Sequence, residues 1–352
     1  MTEIKLKPIQ DQVVAVVGAS SGIGRATALQ FAQKGAKVAV VSRSEPGLVS
    51  LVQEITQMGG EAIAIMADVA NFEQVQAIGD KTVQHFGRLD TWVHNAATSI
   101  FAPFEQITPE EFKRVIDVNL MGQVYGAMVA LPLLKREGRG ALIHVTSVEA
   151  RRSLPLQSPY SASKHGAEGF LDSLRVELMH EKAPISLTNI LPSTINTPFY
   201  NKGMTKLGVK PMSLPPYYHP SLVADAIVYA SEHPVRDMIV GDSGRVLDLA
   251  QKVAPGLLDS ILSLIAIQGQ KTNEIKLPDD PNNLYSAAST GEYDRVEGDY
   301  NALTTPSFLD SLDKHPLFKW GAFAGLGLLA MMTGMGGAMG VKDAAESHSE
   351  SL

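Results

Sequence analysis

The sequence predicts an α/β fold, a doubly wound parallel sheet of about seven strands with helices on both faces, followed by a helical extension. Three observations carry that expectation. Short β-branched runs alternate with helix-length segments over the first 240 residues. Several of the runs are apolar throughout, as parallel strands covered on both faces must be. A glycine-rich turn stands where the first run meets the first helical pattern.

In chain order, strands are expected at 13–17, 37–41, 62–66, 91–93, 141–145, 185–190 and 238–240. Helical patterns fall between them at 23–34, 47–58, 72–86, 109–135, 158–180 and 220–232. Gly35, Gly59 with Gly60, and Gly87 stand where C-terminal caps belong. After Gly241 the rhythm changes. Val253, Leu257, Ile261 and Ile265 recur every four residues, which predicts one amphipathic, strongly apolar helix over 246–267. Residues 271–316, rich in Asp, Asn, Ser, Thr and Pro, read as an irregular polar connector. There is no internal repeat.

A chain of 352 residues has room for one large domain with an extension, or for two ordinary domains. A hydrophobic fraction of 45% with 19% charged residues fits a globular core rather than disorder. The net charge of −7 and the lack of a long basic run argue against a nucleic-acid partner. With no cysteine, the chain has no disulfide, thiol nucleophile or thiolate zinc site, and no metal site is expected. The short N-terminus of mixed charge is not a secretory signal.

The first strand runs into Gly18-Ala19-Ser20-Ser21-Gly22-Ile23-Gly24. Glycines there allow a tight turn, a close approach to a pyrophosphate and a helix start whose free N–H groups favour an anion. Its Gly-x3-Gly-x-Gly spacing departs from the common Gly-x-Gly-x2-Gly dinucleotide fingerprint, so position after a strand carries the reading. The second strand ends Val40-Val41-Ser42-Arg43, with no acidic residue to hold an adenosine ribose. Arg43 suits a 2′-phosphate instead, so NADP is expected, with NAD the lesser alternative. Tyr160 and Lys164 lie four residues apart on one helix face. A phenol with a fixed ammonium beside it can titrate low enough for acid–base work on a carbonyl or alcohol. Ser147 follows a strand at the sheet's carboxyl edge, where its hydroxyl can hold a substrate oxygen.

Taken together, Gly18-x3-Gly22-x-Gly24, Asp68-Val69, His94-Asn95-Ala96-Ala97, Asn119, Ser147 and Tyr160-x3-Lys164 resemble the short-chain dehydrogenase/reductase family, in its ordinary rather than extended branch, over about residues 10–245. The resemblance implies a Rossmann-type domain, an NAD(P) cofactor, a small carbonyl or secondary-alcohol substrate and a homo-oligomer. It implies that the turn including Ser20, Ser21 and Ile23 holds the pyrophosphate, and that Asp68, followed by Val69, contacts the adenine. Lys164 then also holds the nicotinamide ribose, and Asn119 kinks its helix and holds a water that relays protons through Lys164. Asn95 supports the central strand, and the stretch containing Pro192, Thr194 and Thr197 lies against the nicotinamide carboxamide. Ala97 stands where the family has a final glycine, and Val17 where it has a threonine. His94 is expected to pack or hydrogen-bond rather than catalyse. By resemblance, 199–220 is the substrate lid; its Tyr200, Met204, Met212, Tyr217 and Tyr218 suit an apolar substrate or, equally, packing within the domain. A silent dinucleotide sensor on the same fold is the alternative function. It is disfavoured because Asn119, Ser147, Tyr160 and Lys164 are all present.

Residues 321–341 form an apolar run whose only polar side chain is Thr333, long enough to span about 31 Å as a helix. It holds seven glycines, with Lys319 and Trp320 at one end and Lys342 at the other. The expected layout is a catalytic domain at 8–245, helix and connector at 246–316, a transmembrane helix at 317–341 and an acidic tail at 342–352. The expected location is a membrane, single-pass, with the catalytic domain on the cytoplasmic side; a soluble cytoplasmic protein is the alternative.

Overall fold

A computed structural model describes residues 4–288 and 291–310. The expected transmembrane helix and acidic tail lie outside the described residues. Contacts divide the chain into Met1–Ser307 and Phe308–Leu352, and the sheet with its flanking helices belongs wholly to the first unit.

Strand and helix alternate as β1 (Val13–Val17), α1 (Gly22–Gln33), β2 (Lys37–Ser42), α2 (Glu45–Gln57), β3 (Glu61–Met66), α3 (Phe72–Phe86) and β4 (Thr91–His94). There follow a short β5 (Ile100–Phe101), α4 (Pro109–Ile116), α5 (Gly122–Arg136), β6 (Gly140–Val145), α6 (Ser158–His180) and β7 (Ile185–Pro192). The remainder is α7 (Phe199–Lys202), β8 (Met204–Thr205), β9 (Val209–Pro211), α8 (Pro220–Ala230), β10 (Asp237–Val240), α9 (Asp242–Val253), α10 (Pro255–Gly269) and β11 (Lys271–Ile275).

Seven strands form one parallel sheet in the order β10-β7-β6-β4-β1-β2-β3. Alternate residues of β1 face opposite layers. Val14 and Val16 join Phe31 of α1, Leu51 of α2 and Ile227 of α8. Ala15 and Val17 join Ile78 of α3, Leu134 of α5 and Leu171 of α6. The chain reverses its winding between β1 and β4, which opens a crevice at their carboxyl ends. Among the described residues one helical stretch, Pro109–Arg136, is long and apolar enough to cross a membrane. Val118, Ala127, Ala130 and Leu134 bury one face of it under the sheet, as a core helix does.

The structure corrects two expectations. The helix expected over 246–267 is two helices, because Pro255 lacks an N–H and forces Ala254 out of helical geometry (φ −146, ψ 63). Its apolar stripe faces outward: Val253, Leu257, Ile261 and Ile265 are exposed, while Leu258, Leu262 and Ala266 are buried. The expected irregular connector is partly ordered into the domain. β11 pairs antiparallel with β9, Leu284 is fully buried beside Ile100 and Val115, and the Tyr300 ring stacks on Tyr217 at 4.5 Å. A polar composition hid these few anchors.

Candidate functional site

The crevice begins at the glycine turn. Gly18 takes φ +88, and a Cβ there would lie 2.6 Å from the Ala96 nitrogen, so the position excludes any side chain. Asn95, just past β4, donates from Nδ2 to the Gly18 carbonyl at 3.2 Å and ties the turn to the central strand. The Gly22 N–H donates to the Arg295 carbonyl at 2.9 Å. Among the described residues none accepts from the N–H of Ile23, which leaves a donor at the start of α1 for a phosphate. That arrangement fits a dinucleotide. The crevice is a continuous cleft of about 240 Å³.

At one end stands Arg43. Its guanidinium donates to the carbonyls of Asn283 at 2.5 Å and Tyr285 at 3.2 Å, and lies 3.8 Å from Asp68. Asp68 also accepts from Arg114 at 2.6 Å and from the Ala70 N–H at 3.0 Å. Burial alone would raise its pKa, but the Ala70 N–H and the Arg114 charge outweigh burial and hold it below the usual value. Val69 follows, and a Cβ on Gly122 would meet its side chain at 2.9 Å.

At the other end lie Ser147, Tyr160 and Lys164. Ser147 caps the short turn after β6, its Oγ accepting from the Glu149 N–H at 3.1 Å. Tyr160 stands on the first turn of α6, half-buried, with Ser147 as a side-chain hydrogen-bond partner. The Lys164 Nζ lies 5.3 Å from the Tyr160 ring centre and donates to the Val145 carbonyl at 3.1 Å. Glu149, buried behind Ser147, accepts from the Ser161 hydroxyl at 2.7 Å. Burial pulls the Lys164 ammonium down to about 7 against the opposing Glu149 charge, and burial pushes the Glu149 carboxyl up to about 7. Tyr160 departs from the expectation. Burial and then the Glu149 charge raise its pKa above 10, and the Ser147 hydrogen bond only partly offsets them.

All the expected site residues line the cleft except Gly24 and Asn119: Gly18, Ser20, Ser21, Gly22, Ile23, Arg43, Asp68, Val69, Asn95, Ser147, Tyr160, Lys164, Pro192, Thr194 and Thr197. Gly24 sits behind the turn, where a Cβ would meet the Gly18 oxygen at 2.1 Å. Asn119 lies in a π-helical turn, Asp117–Met121, between α4 and α5. It is fully buried, bonded twice to the Thr98 backbone and once to Ser163 at 3.1 Å, and none of these bonds reaches Lys164 directly. His94 is buried, stacked on His144 at 5.9 Å and away from the cleft, and burial holds it well below its usual pKa. Of the expected lid, Phe199, Tyr200, Lys202 and Ser213 line the cleft, while Tyr217 and Tyr218 are core residues.

Sequence reasoning missed Glu149, Gln157, Lys202, Asn283 and Asp294. Glu149 had a signal, two residues after Ser147. Asn283 and Asp294 had none, since nothing local shows that their segment returns to the cleft.

Comparison with known proteins matches the family model described as short chain dehydrogenase over residues 12–207. An uncharacterized oxidoreductase, YxnA, of Bacillus subtilis is 37% identical over 92% of this chain and 91% of its own length. An 11-beta-hydroxysteroid dehydrogenase-like protein of Arabidopsis thaliana is 37% identical over 53% of this chain and 60% of its own. Among solved structures, an alcohol dehydrogenase from the archaeon Thermococcus sibiricus, complexed with 5-hydroxy-NADP, matches with TM-score 0.57 and 27% identity over 65% of this chain and 95% of that one. The parallel sheet and these matches agree, and the chain belongs to the short-chain dehydrogenase family, as an NAD(P)-linked oxidoreductase acting on CH–OH and C=O groups.

Proposed function

We propose that the protein is an NADP-preferring carbonyl reductase or alcohol dehydrogenase with Tyr160 as its general acid–base. One observation carries this: Tyr160, Ser147 and Lys164 converge on one end of a cleft whose other end holds Arg43. The nicotinamide supplies or accepts the hydride when bound. The Tyr160 hydroxyl gives its proton to the substrate oxygen in reduction and takes it back in oxidation. The Ser147 hydroxyl, which accepts from the Glu149 N–H and partners Tyr160, is placed to hold the reacting oxygen together with Tyr160. Lys164, titrating near neutrality, can return a proton to Tyr160. A phenol held above its ordinary pKa rests protonated at neutral pH, so it has a proton to give but gives it less readily than a free phenol. Arg43 spends donors on two carbonyls, and a guanidinium has five. Those left over suit a 2′-phosphate. Leu154, Phe199 and Tyr200 line the cleft and support a substrate with a hydrophobic body.

Membrane attachment through 317–341, with the catalytic domain on the cytoplasmic side, is part of the same proposal. The outward apolar stripe of α9 and α10 supports it. Homo-oligomer formation is proposed on family resemblance alone. The deciding experiment is a screen of ketones and alcohols with NADP(H) and NAD(H), read by absorbance of the reduced nicotinamide. Turnover with no compound and either cofactor would leave a dinucleotide-binding role. Fractionating the full chain against one ending near His315 tests attachment; if both stay soluble without detergent, the anchor reading fails.

A further inference from the structure

The segment after β11 places a buried carboxylate beside the glycine turn and the start of α2, whereas Glu45, the acidic residue nearest the end of β2, is exposed. The Asp294 side chain is only 4% exposed. Its two oxygens lie 3.3 and 3.5 Å from the Ser44 Oγ, 250 residues away in sequence, and one lies 3.5 Å from the Lys202 Nζ. Ser44 is the N-cap of α2, and a Cβ on Gly47, two residues into that helix, would meet Asp294 at 2.7 Å and Ser20 at 2.9 Å. The carboxylate is thus wedged between the glycine turn and the first turn of α2, held by a hydroxyl, a buried ammonium and a helix N-terminus, all of which favour an anion. Arg43 adjoins Ser44 in the chain, and in a dinucleotide site the end of β2 meets the adenosine ribose.

We infer that Asp294 is a specificity-determining residue for the cofactor: its carboxylate occupies the position of the 2′-phosphate, so NADP binds only with Asp294 displaced, while NAD, bearing a neutral hydroxyl there, binds with it in place. This rests on the NADP reading above and adds to it a counter-selecting charge. Displacing the carboxylate hands its partners to the phosphate. The Lys202 ammonium, also 3.0 Å from the Ser21 Oγ, exchanges one counter-ion for another. The choice between the two cofactors is then a contest between Arg43 and Asp294, with one contestant in the family domain and the other beyond it.

Asp294→Asn keeps the shape and can still accept from Ser44, but removes the charge. The test is calorimetric titration of the full chain with NADP, NAD and adenosine 2′,5′-bisphosphate. The variant is expected to bind NADP and the bisphosphate about tenfold more tightly, with NAD within about twofold of the parent. An equal gain for both cofactors, no change, or weaker NADP binding overturns the inference. NAD binding reports whether the variant is folded, and Asp294→Ala serves should the asparagine variant fail to fold. Arg43→Ala, run alongside, separates the two readings. If it spares NADP while the Asp294 variant still splits the cofactors, the Arg43 reading fails and the Asp294 inference stands.

Discussion

The two ends of the cleft are built on opposite plans. At the reactive end, Ser147, Tyr160 and Lys164 come from 18 consecutive residues, on a strand end and one helix, and burial sets their electrostatics. At the adenosine end, Arg43 and Ser44 are met by Asn283, Tyr285 and Asp294 from far downstream, and at Asp68 hydrogen bonds and paired charges outweigh burial. A site made from one strand end and the helix that follows it depends on little else in the chain. A site closed by a remote segment can be opened by moving that segment, which makes the adenosine end the adjustable one.

The reactive end breaks most sharply. Tyr160→Phe removes the acid–base hydroxyl and is expected to lower turnover by about 10³-fold, with cofactor binding retained in calorimetry. A normal rate in that variant ends the proposed mechanism. A smaller effect is expected at the far end. Arg43→Ala should weaken NADP binding by about 10- to 100-fold and change NAD little. Equal weakening of both cofactors would show that Arg43 braces the segment at 283–285 rather than reading a phosphate.

The same contrast explains what the sequence disclosed. The sheet was legible because each parallel strand carries its own apolar run, and β1 through β10 of the main sheet lie within two residues of the expected spans. Tyr160 and Lys164 were legible because a helix places residues four apart on one face. The Tyr160 pKa was not: its sign is set by burial and by Glu149, and only the folded site puts that carboxylate within reach. Asp294 was illegible for a related reason. The stretch 40–44 holds no acidic residue, and the chain sets Asp294 against Ser44 through a tertiary contact that no local pattern encodes. Pro255, by contrast, is a plain helix stop whose signal a strong apolar period masks.

Two carboxylates, one at each end, act on stability rather than on turnover or binding, and with opposite signs. The Glu149 folded pKa lies near 7 against an ordinary 4.5, because burial outweighs the Ser161 and Leu154 hydrogen bonds and the Lys164 charge. Below about pH 4.5 both folded and unfolded chains hold the proton, and the group contributes nothing. Between about 4.5 and 7 only the unfolded chain releases it, so stability falls as pH rises, and above 7 the deficit is constant. Glu149→Gln, which can still accept from Ser161, should therefore stabilise the protein at pH 8 by up to about 3 kcal/mol and have no effect at pH 4. For Asp68 the folded pKa is depressed, so its contribution is present above the unfolded value and lost as pH falls. Asp68→Asn should destabilise more at pH 7 than at pH 3, and by less than Glu149→Gln stabilises, because Asp68 is partly solvated. Denaturant melts at the paired pH values read both. Were Glu149→Gln to shift stability equally at pH 4 and 8, burial would not be what separates the two ends.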